Sequence, residues 1–397
     1  MKIVIVGGKL PGIEAAYLAH QAGWEVILID KDPGAPATGM CDKFFQLDIH
    51  EEGKRFVQIA QEADLVIPAL QDQRTLDSLV GLAGQCKCPM IFDRFCYSIT
   101  SSRLKSHILF QHHEIPAPGH WPQCDLPVMV RPAGFKEKSR LISTQSGLTG
   151  FLDKNQAQRE ELVIQQFLKG DYYSLEVIGC QGIYRTLQVT DLDMDRCFDC
   201  KRVSAPTKLT YEHQQEFCSL GEKMGAMINL EGIANIQVVD HQGTLKVLGI
   251  TAKLPSETPI VVYKSTGLNM LVLLDGVYRR GIMDTVLTFG DARAVISEYV
   301  KVTSQRMETI GKHKIPDRGP MFLHQNFFGA EEAITNYRPG QSSWVARLIH
   351  TGSDVAEVRM KRMKTIETMQ KQFKIPCFVD AAPKNVHEMP QRANNRK

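Results

Sequence analysis

The sequence predicts an open, doubly wound α/β domain leading into an α+β region of antiparallel sheets, and three observations carry that expectation. Short apolar runs alternate with amphipathic segments up to Pro68, a proline-rich connection follows at Pro116 to Pro122, and beyond it strand-like segments are separated by Gly, Asp and Asn turns. Alternation of the first kind marks parallel strands joined by crossover helices, whose ligands bind beyond the carboxyl ends of the strands. A chain of 397 residues with 43% hydrophobic content can bury two or three cores.

The elements follow in order. Ile3 to Val6, Glu25 to Asp30 and Leu65 to Pro68 read as strands, with Ile13 to Gln21 and Arg55 to Glu62 as the helices between them. Gly7, Gly8 and Gly12 close the first strand, but Lys9 stands where a dinucleotide fingerprint has its second glycine. The segment therefore reads either as a tight strand-to-helix turn or, with Asp30 at the end of the second strand meeting a ribose hydroxyl, as the site of an NAD(P)-dependent dehydrogenase. After Met90-Ile91-Phe92-Asp93 comes a polar, helical stretch through Gln111, and His112 and His113 read as its solvated end. Beyond the prolines, PVMVRPAG, RLIST, LVIQQFL, YYSLEVIG, TLQVT, IANIQVVD and TLKVLGIT read as strands. Past Thr303 the pattern is less diagnostic, apart from a basic, Met-rich amphipathic helix at Glu357 to Gln372. The expected units are residues 1–93, 94–167, 168–303 and 304–381, with a disordered tail at 382–397.

Composition bounds the function. With 47 basic against 44 acidic residues the net charge is +3, too balanced for a nucleic-acid-coating surface or a polybasic membrane anchor. No apolar run approaches the roughly 20 residues that span a bilayer, and the chain opens on a strand rather than a signal segment, so a cytoplasmic protein is expected. Ten scattered cysteines then read mostly as small buried apolar residues. The Cys197 and Cys200 pair lacks a second pair that would complete a zinc site, and neither Cys86 and Cys88 nor the twelve histidines show ligand spacing.

The order of segments carries more than any one of them. An α/β domain, a helix, a Pro-rich linker, a strand ending in Val130-Arg131-Pro132, a strand reading Ser174-Leu175-Glu176-Val177 and a late strand followed by Ala252-Lys253-Leu254-Pro255 together resemble the ATP-grasp superfamily. GGKLPGIEAAYLAHQAGWEVILIDKDP, YYSLEVIG and LPSETPIVVYKSTGLNM are similar to its pyrrolysine-biosynthesis ligases, which join 3-methyl-D-ornithine to the side-chain amine of L-lysine. The resemblance runs from Met1 to about Gly276. It implies an ATP-grasp fold behind a Rossmann-like N-terminal domain, with ATP and magnesium as cofactors and small amino acids as substrates. A homodimer is implied on the same ground.

The chemistry implied is phosphorylation of a carboxylate by ATP, then attack of an amine on the acyl phosphate, which needs cations on the phosphates. By resemblance Arg103 and Arg131 contact phosphate, and Lys253 faces the acyl phosphate; the plain alternative for each is a surface cation. Gln165, Gln166, Phe167 and Leu168 match the adenine hinge and Asp171 the ribose contact. Ser174 and Glu176 match contacts to the amino acid, the alternative being an exposed strand pair. Lys9, Leu10, Pro11, Asp30, Asp48, Ile49 and Gln71 cover the places that hold lysine and further nucleotide contacts. The magnesium ligands fall at Gln237, Gly249 and Thr251, where the family usually has carboxylates, and Phe135 and Lys136 stand where its glycine-rich phosphate loop would be. Two readings follow: a functional ligase, or a relative that binds nucleotide or amino acid with impaired transfer.

Overall fold

A computed structural model describes residues 1–132, 140–156, 162–283 and 292–383. Phe135, Lys136 and all but the first two residues of the expected tail lie outside these ranges.

The N-terminal unit holds β1 (Lys2–Val6), α1 (Leu10–Gln21), β2 (Glu25–Asp30), β3 (Lys43–Gln46), α2 (Gly53–Ala60), β4 (Leu65–Pro68) and α3 (Gln73–Ala83). Its four strands are parallel in the order β3-β2-β1-β4. The apolar runs of β1, β2 and β4 are buried on both faces, as parallel strands under helices require. The short strand β3 and helix α3 are additions to the expected pattern, since Lys43 to Gln46 is too brief to show a period. The turn after β1 depends on glycine twice. Gly7 has φ +107°, and a Cβ on Gly12 would meet the Gly7 carbonyl oxygen at 2.2 Å.

Two helices, α4 (Arg94–Thr100) and α5 (Arg103–His112), are capped by Asp93 and Ser102. They lead to a three-stranded antiparallel sheet in the order β6-β5-β7, from β5 (Val128–Pro132), β6 (Arg140–Ile142) and β7 (Leu162–Gln166), with α6 (Gln145–Lys154) between the last two.

The third sheet has twelve strands. Its first part is β8 (Asp171–Cys180), β9 (Ile183–Thr186), β10 (Thr190–Met194), β11 (Cys200–Ala205), β12 (Gly232–His241) and β13 (Thr244–Thr251), with α7 (Tyr211–Met227) before β12. Helices α8 (Pro259–Thr266) and α9 (Met270–Asp275) precede β14 (Ala294–Thr303), β15 (Met307–Thr309), β16 (Phe322–Phe327), β17 (Ala330–Thr335) and β18 (Ser343–Gly352). Helix α10 (Val355–Phe373) and β19 (Phe378–Val379) close the described chain. The path is β13-β12-β8-β10-β11-β14-β18-β17-β16. The TLQVT segment is not one strand: Thr186 ends β9 and Thr190 begins β10. Six strands past residue 293 join the sheet, so the region without a clear sequence pattern completes the core.

Strand alternation decides which face becomes a site. On β8 the residues Tyr173, Leu175 and Val177 share a core with Phe217 and Met224 of α7, so Tyr172, Ser174 and Glu176 face the other way. Buried polar contacts fasten the N-terminal unit to the last strands. Glu14 of α1 pairs with Arg347 of β18, and the Tyr17 hydroxyl donates to Glu332 of β17 at 2.7 Å. Among the described residues no single helix is long and apolar enough to cross a membrane.

Candidate active site

Pairing of β8, β12 and β13 places six of the relevant positions in two rows on one sheet face. Gln237 lies opposite both Ser174 and Gly249, and Asn235 lies opposite both Glu176 and Thr251. Side chains of directly opposed residues share a face, so this grid sits on the side away from α7. Ser174 and Glu176 are fully buried, which corrects the alternative of an exposed strand pair. Asn235 donates to the Ser174 hydroxyl at 2.6 Å and to Glu176 Oε1 at 2.8 Å, and the Thr258 hydroxyl donates to the same oxygen at 2.6 Å. The second carboxyl oxygen, Oε2, is buried without a hydrogen-bond partner. Burial drives the Glu176 pKa up to about 7 against these two hydrogen bonds, so near neutral pH the group can hold or release a proton.

The loop after β13 supplies the charges. Glu257 is 3% exposed, and its carboxylate meets Lys312 Nζ at 2.6 Å, the Ser256 hydroxyl at 2.6 Å and the Gln237 amide at 3.2 Å. Burial pushes its pKa up, but the Lys312 ammonium outweighs that and holds it at about 2. Lys253 Nζ is buried with no hydrogen-bond partner, and burial, reinforced by the Lys312 charge, brings its pKa down to about 7. Arg347 fixes this loop from behind, donating to the Glu257 carbonyl at 2.7 Å and to the Ser297 hydroxyl at 2.7 Å. Its partner Glu14 also accepts the Ile260 amide at 3.0 Å.

The three-stranded sheet contributes the arginines. Arg131 on β5 is half-buried, its Nε is buried without a partner, and burial lowers its pKa while Tyr172 of β8 lies within electrostatic reach. Arg103, the first residue of α5, is brought down to about 10 by burial and by the Arg131 charge. The two cations are therefore neighbours, and Arg131 faces the strand that carries Ser174 and Glu176. In the loop after β13, Glu257 interacts electrostatically with both Glu176 and Lys253. Arg131 is thus tied to Tyr172 of β8, and Glu176 and Lys253 are tied to Glu257.

The remaining predicted residues divide into groups. Lys9 and Gln71 are exposed, Leu10, Pro11 and Ile49 are buried, and Asp30 and Asp48 are half-buried. All follow or end strands at the carboxyl edge of the parallel sheet. Asp30 Oδ2 accepts the Gly8 amide at 2.6 Å and Oδ1 the Asp32 amide at 2.8 Å, so this carboxylate secures the glycine turn. A small cavity lined by Pro68, Phe92, Lys253 and Tyr278 connects this edge to the charged loop. In the hinge, the Gln166 and Phe167 amides donate to the Gly119 and Pro127 carbonyls at 2.8 and 2.9 Å. Gln165 Nε2 meets His120 Nε2 at 2.9 Å, and Leu168 is buried. Asp171 is exposed and pairs with Lys208 at 3.1 Å. All ten cysteines are free thiols, with Cys200 buried and Cys197 exposed.

The metal positions do not fit magnesium. Gly249 has no side chain, Thr251 and Gln237 each offer one neutral oxygen, and the Gln237 Nε2 donates to Glu257, whose carboxylate is neutralised by Lys312. Magnesium is a hard cation usually held through one or two carboxylates. Among the described residues no group of three or more His, Cys, Asp or Glu side chains is placed to hold a metal ion.

Sequence reading missed four members of the site. Asn235 could have been found from its two-residue spacing to Gln237, and Glu257 and Thr258 lie inside the LPSETP stretch. Lys312 had no signal, because the loop carrying it reaches the cleft only through the long-range pairing of β14 with β15 and β18.

Residues 3–88 match the family model described as PylC-like, N-terminal domain. The 3-methyl-D-ornithine–L-lysine ligase of Methanosarcina mazei is 28% identical over 376 residues, covering 94% of this chain and 96% of that protein. The L-amino acid ligase from Bacillus licheniformis superposes with a TM-score of 0.66 at 14% identity, covering 97% of this chain and 99% of that one. The biotin carboxylase from Campylobacter jejuni does so with a TM-score of 0.70 at 13% identity, covering 94% and 95%. This chain therefore has the ATP-grasp fold behind a PylC-like N-terminal domain, and resembles the 3-methyl-D-ornithine–L-lysine ligases over nearly its whole length.

Proposed function

We propose that the chain is an ATP-dependent carboxylate–amine ligase that joins two amino acids, with 3-methyl-D-ornithine and L-lysine as the substrate pair. The observation that carries the reading is the polar grid of β8, β12 and β13, with Ser174, Glu176 and Asn235 buried on one face and Lys253 within reach of the adjoining Glu257. In the reaction a substrate carboxylate oxygen attacks the γ-phosphorus of ATP and ADP leaves. The amine nitrogen then attacks the acyl carbon, phosphate leaves, and the amine proton passes to a base or to water. Arg103 and Arg131 offset phosphate charge, and an anion beside Lys253 restores the proton that burial makes it release. Ser174 and Glu176 receive the amino acid, whose ammonium supplies the partner that Glu176 Oε2 lacks. Residues 165–168 bind adenine and Asp171 the ribose. The carboxyl edge with Lys9, Leu10, Pro11, Asp30, Asp48, Ile49 and Gln71 holds the second amino acid and the nucleotide's far side.

A second reading, a relative that binds nucleotide or amino acid but transfers poorly, is favoured by the missing carboxylates at Gly249 and Thr251. One measurement separates the two: ADP release on incubation with ATP, magnesium, lysine and 3-methyl-D-ornithine. Amino-acid-dependent release with a matching amide product supports the ligase, while nucleotide binding without release supports the second reading.

A further inference from the structure

We infer that the Lys312 ammonium takes the place of a metal ion in this cleft, so that Lys253 and Lys312 form a metal-independent site for the phosphates of a nucleotide. The inference rests on the ligase reading only for the identity of the anion. Its geometry is independent. Lys312 reaches the cleft from the turn after β15 and is anchored by Glu257 at 2.6 Å and Ser256 at 3.2 Å. The Gln237 amide contacts the other Glu257 oxygen at 3.2 Å, which sets the ammonium beside the position where the resemblance put the first metal ligand.

Charge then decides what enters. Two lysines and one carboxylate leave a net charge of +1 when all three are ionised. A divalent cation arriving here would meet two ammonium groups, in surroundings where burial strengthens repulsion, and would have to displace Lys312 to reach Glu257, while burial favours the protonated form of the neighbouring Glu176. An anion meets the opposite balance. Lys253 Nζ is buried without a partner, as expected of a donor whose acceptor is the ligand. Gly249, at the third metal position, has nothing within 4 Å of where a Cβ would lie, so the same face has room for a phosphate group.

The test is calorimetric titration of the full-length protein with tripolyphosphate and with ATP, each in magnesium and in EDTA. Both ligands are expected to bind in EDTA within about threefold of their affinity in magnesium. Lys312→Gln should weaken both at least tenfold. Because that variant leaves Glu257 buried and unpaired, Lys312→Gln/Glu257→Gln serves as the neutral control, and it should remain folded by circular dichroism while still losing at least tenfold. Binding that falls more than tenfold in EDTA, or a double variant with wild-type affinity, overturns the inference. Should tripolyphosphate bind in EDTA while ATP binds under neither condition, the anion site stands and the ligase reading falls. If ATP binds only with magnesium, the ligase reading survives and the inference does not. Failure of both ligands under every condition removes both.

Discussion

Two arginines in this molecule handle charge in opposite ways. Arg347 is 3% exposed and saturated: Glu14 pairs with it, and the Ser297 hydroxyl and Glu257 carbonyl accept its other donors. Burial disfavours its charge, but the Glu14 carboxylate outweighs burial and holds the guanidinium above its usual range. Arg131 keeps an unpartnered Nε, and burial leaves it below its usual range with Arg103 as its cationic neighbour. A fully satisfied cation is a fastener, whereas an unsatisfied one is preorganised for a ligand that brings negative charge. The same contrast separates Glu257, which has three partners, from Glu176, which has a free oxygen.

The comparison breaks most visibly at Glu14. Glu14→Ala leaves Arg347 buried and uncompensated and should destabilise the protein by about 3–5 kcal/mol. It also releases the Ile260 amide and the loop that carries Lys253 and Glu257, so ligand affinity should fall with stability. Urea unfolding and titration of the same variant check both effects. A stability loss within about 0.5 kcal/mol, the range of ordinary surface changes, would show that Arg347 is not the fastener described.

Glu176 gives the next largest effect and carries a sign. Its folded pKa of about 7 stands above the ordinary 4.5, so the folded chain keeps the proton through that window while the unfolded chain releases it. The stability from this group is full below about pH 4.5 and is lost as pH rises to about 7, a total of about 3 kcal/mol at 1.36 kcal/mol per pKa unit. Glu176→Gln should remove that slope and be more stable than the wild type at pH 8, while weakening capture of an ammonium-bearing substrate. Unfolding midpoints at pH 5 and pH 8 for both proteins measure it, and an unchanged slope would assign the pH dependence elsewhere.

Arg131→Met sharpens the contrast by separating stability from binding. Replacing a half-buried cation whose Nε has no partner with an apolar chain of similar length should shift stability by no more than about 1 kcal/mol in either direction. Loss of charge-assisted contacts to phosphate should weaken ATP binding about tenfold or more, equivalent to about 1.4 kcal/mol. If instead Arg131→Met unfolds the protein and Glu14→Ala does not, the two roles are reversed.

The fold was legible wherever a periodic signal is local. The runs Ile3 to Val6 and Leu65 to Pro68 are apolar on both faces, and the basic helix expected from Glu357 is observed as Val355–Phe373. Cys200–Ala205 escaped notice because it mixes Lys201, Arg202 and Ser204 into its pattern, and those cations are made tolerable by Asp380, Asp193 and Glu298 from distant positions. On β8 two-residue alternation put Ser174 and Glu176 on one face, while their choice as candidates, like that of Gly249 and Thr251 on β13, came from the resemblance. What single-chain reading could not supply was the burial of Glu176, whose Oε1 accepts from Thr258 of the loop after β13, or the approach of Lys312 to Glu257. Both are products of tertiary closure, to which local pattern is blind.

The smallest expected change in stability falls at Gly249, and it puts the charge contrast to its finest test. The position faces the cleft, its backbone is not in the left-handed region, and an added Cβ meets no atom within 4 Å. Gly249→Glu should therefore alter stability by no more than about 0.5 kcal/mol, while placing a carboxylate in the grid beside Gln237. In the wild type Lys312 engages Glu257, burial holds Glu176 toward its protonated form, and none of the three expected metal positions carries a carboxylate. In the variant a second carboxylate shifts that balance, so ATP binding should weaken in EDTA and recover with magnesium. Paired titrations with and without the metal measure the shift. If the variant's affinity ignores magnesium as the wild type's is expected to do, the missing carboxylate is not what sets metal dependence, and the balance of Lys253, Lys312 and Glu257 alone governs the cleft.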